Sequence, residues 1–390
     1  MAGFLQTLKN LVFPEREEGR DPVTRYLLLT LLGAAVFAAL AYWFYNRTHT
    51  FDSYRIRKEY ELHDTEGTQY RMLSGRLIKY GHDGLFCVNL KNETLWSTAY
   101  TMQTPVSDVS GGIMAIAEQQ GNQVYVLNSK GVLGSFTTSM PVMKIRAASN
   151  GVVALVLNDT DNTTWIDLRS AAGEQIASVK ATQTDSGYPM DIALSSNARQ
   201  LLVSYLGEAK GELVGKIALY DFSSADASDE SHLLALREYP GVIFPDVFFS
   251  GSGPVAVAND GYIAFSSGKN MEEVSRLTLN DEIVSEFHDG RSIGFVFRSG
   301  RSDVKYHMTV YNLRGRSTME TDLNFEYADI RMEDSEILLY DSGTIYVYRT
   351  SGRQKVSTAY EKPVKYFTHT SGLRNYLVIS SDGIDQIRVY

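Results

Sequence analysis

Residues 105–128 read PVSDVSGGIMAIAEQQGNQVYVLN. A proline opens the segment, short apolar runs follow, and it closes on Val126-Leu127-Asn128 before a turn. Proline is tolerated at the first residue of a strand, where no ladder N–H is needed. β-Branched runs broken by Gly, Asn and Ser read as strands joined by turns. The closing pattern is two or three apolar residues and then a polar one. It recurs as Phe86-Cys87-Val88-Asn89, Trp165-Ile166-Asp167, Leu219-Tyr220-Asp221, Ala264-Phe265-Ser266, Val310-Tyr311-Asn312 and Val347-Tyr348-Arg349. The polar anchors stand at 89, 128, 167, 221, 266, 312 and 349, spaced 39, 39, 54, 45, 46 and 37 apart, and Ile387-Arg388-Val389-Tyr390 follows as an eighth copy. A repeat of roughly 40–45 residues holding four short strands is that of a β-propeller blade.

The opening proline recurs too, at Pro141, Pro189, Pro245 and Pro363. Eight repeats then begin near residues 68, 105, 141, 189, 242, 282, 326 and 363, and the last has room for three strands only. The alternating stretch 54–62, YRIRKEYEL, belongs to no repeat. It is expected to supply the outermost strand of the last blade, which pairs the two ends of the domain and removes an exposed edge. Seven blades is the alternative. No stretch beyond residue 54 sustains a helical period, so the fold class is all-β, an eight-bladed propeller spanning 54–390.

The composition is 44% hydrophobic and 21% charged over 390 residues, which is that of a folded globular protein. A single cysteine, Cys87, excludes an internal disulfide framework and a cysteine-based metal cluster. Residues 51–390 carry 32 basic against 42 acidic groups, a net of −10. A domain of that sign repels phosphate backbones, so no nucleic-acid partner is expected.

Ahead of the repeats, residues 26–45 read YLLLTLLGAAVFAALAYWFY with no charge, bracketed by Arg25 and Arg47. A helix of that length matches the hydrocarbon core, and Tyr42, Trp43 and Tyr45 suit its interface. The lipid bilayer is therefore the expected partner of 26–45, as a single transmembrane helix. A buried core helix would show a polar stripe. A cleavable signal peptide is the sharper competitor, because Ala39-Leu40-Ala41 fits a cleavage pattern. The apolar run continues past that point, which favours an uncleaved anchor. Basic residues on the two sides tie, so charge does not orient the span. In the tail 1–25, Phe4, Leu5, Leu8, Leu11 and Val12 follow the spacing of a short interfacial helix. Residues 46–53 are read as a linker.

Thr94-Leu95-Trp96, Tyr100-Thr101-Met102-Gln103-Thr104-Pro105, Gly121–Asn128, Ser186–Ile192 and the tail Tyr376–Ile384 together resemble a family of Clostridia-type bacteria, the domain-of-unknown-function family 5711. The resemblance covers most of 54–390 and the order of parts, one span and then a propeller. It implies a single-pass protein of the cell membrane with its β-domain outside the cell. It implies no activity and brings no catalytic residues.

Motifs of chemistry are absent or better read as turns. There is no Walker loop, no GxGxxG after a strand and no HExxH. Ser250-Gly251-Ser252-Gly253-Pro254 precedes a strand, not a helix, and reads as a hairpin turn. His82-Asp83-Gly84 falls between second and third strands and His288-Asp289-Gly290 between first and second, hence on opposite faces; both read as turn chemistry. Asn158-Asp159-Thr160-Asp161-Asn162 starts like a calcium loop but has Thr163 and Arg169 where glycine and glutamate belong. No catalytic, cofactor-binding or metal-ligating residue is assigned.

One placement carries a functional expectation. Second-to-third-strand turns and blade links emerge on one face, and in blades 3 and 4 they are long: Asn158–Thr164, Thr182–Tyr188 and Leu206–Gly215. A rigid scaffold bearing long neighbouring loops is where recognition surfaces are built, although loops also lengthen at little thermodynamic cost. The candidate recognition face is Asp159, Asp161, Asp185, Tyr188, Glu208, Lys210 and Glu212. The expected function is a non-enzymatic, membrane-tethered recognition or scaffold propeller at the cell surface, binding a protein or a cell-envelope polymer. The alternatives are an envelope assembly factor, or a cofactor-binding or hydrolytic propeller. The last is disfavoured because quinone-type propellers dock their blades with regular tryptophans, and this β-region has only Trp96 and Trp165.

Overall fold

Strand Val153–Asn158 shows why the repeats close into a ring. Val153, Leu155 and Leu157 pack with Val124 and Val126 of the preceding repeat, while Ala154 and Val156 pack with Val203 and Ala218 of the following one. Both faces of the strand are buried, so its sequence is apolar throughout instead of alternating. Outermost strands such as Thr94–Ala99 have a half-solvated side and do alternate.

A computed structural model describes residues 22–159, 163–223 and 232–390. These residues form eight four-stranded antiparallel sheets. Blades 1 to 7 occupy 69–99, 105–137, 142–182, 188–240, 246–278, 283–323 and 329–359, each running from inner to outer strand in chain order. Blade 8 takes its three inner strands from 364–389 and its outer strand from Tyr54–Glu61, so the expected eight blades and their closure are both present. Eight apolar clusters lie one in each interface between neighbouring blades, ending with Tyr70 and Leu77 of blade 1 against Tyr366 and Leu377 of blade 8. Full burial of each Val, Leu or Phe contributes about 1.5–3 kcal/mol.

The polar anchors recur because they close the turn from third to fourth strand. Asn128 Oδ1 accepts from the backbone N–H of Lys130 (2.7 Å), and Asn89 and Asn312 accept in the same way. Blade 3 corrects the register read from sequence. Its turn begins at Ser170, whose hydroxyl accepts from Glu174 N (3.2 Å), not at Asp167. Asp167 instead accepts from Ser178 and Arg169 within the sheet.

Ahead of the propeller, helix α1 spans Pro22–Thr48. Every residue from 26 to 45 is exposed, which excludes the core-helix reading and leaves a candidate membrane span or signal sequence. The interfacial helix expected in the tail lies outside the described residues. The helix and the β-domain from Thr50 onward are separate compact units. Within the latter, Phe51, assigned to the linker by sequence, is buried between blades 7 and 8. It bridges Val356 in parallel, and Arg374 lies over its ring.

Candidate functional site

The strand ladders bring most of the expected face together. Thr163 pairs with Thr182, which sets the Asp159 turn beside the link that holds Asp185. Tyr188 pairs with Leu206, which sets that link beside the next turn. Asp185 accepts from Thr182 Oγ1 (2.8 Å) through its carboxylate and from Lys216 Nζ (2.8 Å) through its carbonyl. Tyr188, Glu208, Lys210 and Glu212 are exposed and Asp159 is half-buried. Asp161 lies outside the described residues.

The stretch Leu206–Gly215 is not a loop, as the sequence suggested, but a ribbon. Strand Gln200–Ala209 runs ten residues, against five to seven for the second strand of every other blade. It pairs with Glu212–Asp221 up to Ala209 opposite Glu212. The neighbouring strands stop at Leu206 and Val214, and beyond one further bond from Gly241 N to the Leu213 carbonyl (2.8 Å) residues 207–213 project as two strands. Lys210 and Gly211 turn the chain with φ of +56° and +84°, the left-handed pair of a two-residue hairpin turn. Three residues of strand reach roughly 10 Å beyond the blade. Glu208, Glu212 and half-exposed Leu213 sit on this projection.

The opposite face holds a different feature. A cavity of about 1020 Å³ joins the inner strands of blades 1, 7 and 8 to turn residues Gly111 of blade 2 and Asp289 of blade 6, so it lies on the ring axis. Arg71, Arg331, Tyr366 and Thr368 line it. Arg331 is held by Asp329 (2.7 Å), Glu333 (3.2 Å) and the Phe367 carbonyl (2.6 Å) and stacks over Tyr366.

The rest of the inner ring is tied by charge. Asp191 of blade 4, buried, accepts from Lys144 (2.9 Å) and Arg146 (2.9 and 3.1 Å) of blade 3 and from Val247 N (3.3 Å) of blade 5. Next to it, Asp246 of blade 5 meets Glu286 and His288 of blade 6. Burial, reinforced by Asp246, pushes the Glu286 carboxyl up to about 7. Burial works against the charged form of His288, but Asp246 and Glu286 outweigh it and raise its pKa. Sequence reading missed this meeting. It took His288 with Asp289 as a turn, and Asp289 does accept from Arg291 N and Ser292 N there. The His288 ring turns the other way, toward residues 42 and 2 positions upstream on two separate strands. The one local signal was a carboxylate inside the strand Ile283–His288.

His82 lies in a turn between second and third strands and His288 ends a first strand, so the two stand on opposite faces and share no site. Ser250 pairs with Gly253 across a tight hairpin, as its sequence suggested.

A family model, DUF5711, described as a family of unknown function, matches residues 47–389. No curated protein matches the sequence. Among solved structures, BamB from Moraxella catarrhalis superposes with a TM-score of 0.54 at 12% identity, over 87% of this chain and 100% of that one. Sqt1 from Chaetomium thermophilum, bound to the N-terminus of the ribosomal protein L10, gives 0.54 at 9% identity, over 86% and 100%. At such identities the likeness is one of fold.

Proposed function

The chain belongs to the DUF5711 family, and from that membership, which carries no activity with it, we propose that it is a recognition or scaffold propeller tethered to a membrane. In this reading residues 26–45 cross the bilayer once, the β-domain stands outside a bacterial cell, and its ligand is a protein or a cell-envelope polymer. It performs no catalysis and binds no nucleic acid, in keeping with its net negative charge. Tethering confines the domain to the membrane surface and raises its effective concentration there.

The observation that carries the reading is the ribbon 207–213, projecting beside Asp159, Asp185 and Tyr188. It adds nothing to the interfaces between blades, yet it is a built, hydrogen-bonded element with an exposed leucine. Recognition surfaces take that form, on a scaffold that holds without them. Asp161 belongs to the same proposed face. That a propeller of similar fold holds the N-terminus of another protein supports a protein ligand here.

The test is crosslinking in intact cells with a photoreactive residue at position 210, combined with protease accessibility of the β-domain. A partner captured by the native chain, and lost when 208–213 is shortened to a tight turn, is the expected result. Equal capture by both chains removes the proposed face, and a β-domain protected from external protease removes the proposed sidedness.

A further inference from the structure

We propose that Asp246, Glu286 and His288 form a binding site for one divalent first-row transition metal ion at the inner junction of blades 5 and 6. One donor atom from each side chain lies within 4.8 Å of the other two. Two independent features mark the group as more than a crowd of charges.

The first is geometry without hydrogen bonding. His288 Nε2 stands 3.4 Å from Asp246 Oδ2. That is longer than an ordinary N–H···O bond of about 2.7–3.2 Å. It equals the ligand–ligand edge, about 3.3–3.6 Å, of a tetrahedral ion with bonds near 2.0–2.2 Å. Asp246 Oδ2 and Glu286 Oε1 are both shielded from solvent and have no hydrogen-bond partner. Buried lone pairs in native structures are normally satisfied, and two orphaned carboxylate oxygens beside an imidazole nitrogen call for a shared cation.

The second is access and rigidity. A cavity of about 340 Å³ opens on all three residues and is bounded by Ile330, Arg331, Met332 and Glu333 of blade 7. Phe248 stacks on the His288 ring at 3.7 Å and 10°, which holds the imidazole plane.

The charges around the group leave room for a cation. Asp191, Asp246, Glu286 and Asp289 face it with His288. Arg146 is shared between Asp191 and Asp246, Lys144 is engaged by Asp191, and Arg331 by Asp329 and Glu333. One imidazole with two carboxylates suits zinc, manganese or iron(II) better than calcium, which takes six or more oxygens. Bound there, the ion would clasp blade 5 to blade 6.

The test is Zn²⁺ titration of the chelator-treated full chain in detergent, with Mn²⁺ and Ca²⁺ as comparisons. Saturable binding of one Zn²⁺ per chain is expected, weaker by more than about tenfold in Glu286→Gln and in Asp246→Asn, since even second-shell losses cost 10–100-fold. Ca²⁺ at equal concentration should not compete. Circular dichroism checks that the variants fold. If they do not, X-ray absorption of the zinc-loaded native chain decides: one imidazole with carboxylate oxygens supports the site, and a water-only or sulfur-containing shell overturns it. No saturable binding up to millimolar Zn²⁺, or equal affinity in both folded variants, also overturns it.

Discussion

Ile56 stands opposite Ile387 in the antiparallel ladder that closes the ring. They share one face of one sheet, but Ile387 is 1% exposed and Ile56, on the outermost strand, 37%. Ile387 belongs to the cluster joining blades 7 and 8. Ile387→Ala should therefore cost about 2–5 kcal/mol through lost burial and cavity formation. Ile56→Ala should cost less than about 1 kcal/mol. Chemical denaturation of the two variants measures both, and equal costs would contradict the layering of the closing blade.

Asp191 ties three blades through one carboxylate. Replacing it with alanine leaves the Arg146 and Lys144 charges facing each other near the ring axis. Removing one partner of a buried pair costs about 3–5 kcal/mol. Arg146 and Lys144 retain 30% and 37% exposure, so water relieves part of this. A loss of about 2–4 kcal/mol is expected for Asp191→Ala by denaturant unfolding; a loss below about 1 kcal/mol would show that the blades are not held there.

What sequence could reveal follows from these two sites. Blade number and closure were legible because each is local: an anchor such as Asn128 caps its own turn, and Tyr54–Glu61 alternates without a repeat of its own. The anchor misread at Asp167 shows the limit, since a strand-interior aspartate bonded to Ser178 looks the same in sequence as a turn-closing one. The ribbon 207–213 was read as a loop because glycines at 207 and 211 with charges between them resemble a turn, and only the pairing of Glu208 with Leu213 makes it a strand. The junction of Asp246, Glu286 and His288 was not legible at all. Its members are brought together by the stacking of blades, which no local pattern encodes.

Buried tyrosines predict alkaline unfolding. Burial, the main cause, raises Tyr340 and Tyr348 to about 12 each. A phenol raised in the folded state above its unfolded value near 10 binds its proton more tightly when folded. Its stabilisation is complete below pH 10 and is lost as pH rises through about 12. The tyrosine contribution should be constant to about pH 10 and fall steeply above it. Phenolate absorbance should then appear in step with loss of circular dichroism. Phenolate from all tyrosines forming ahead of unfolding would contradict their burial.

The projecting ribbon should be separable from the fold it stands on. Lys210 and Gly211 both have positive φ, and a Cβ added at Gly211 would meet nothing within 4 Å. The cost of Gly211→Ala is therefore backbone strain alone, about 1 kcal/mol. Lys210→Asn does the reverse, since Asn-Gly is the favoured pair for this turn. Neither change touches an interface between blades. Amide hydrogen exchange at 208–213 should accelerate roughly fivefold in Gly211→Ala and slow in Lys210→Asn, while global stability falls by no more than the same local strain of about 1 kcal/mol. A global loss above about 2 kcal/mol in Gly211→Ala, beyond what local strain supplies, would mean that the ribbon braces the ring. It could then no longer be treated as an element free to serve a partner.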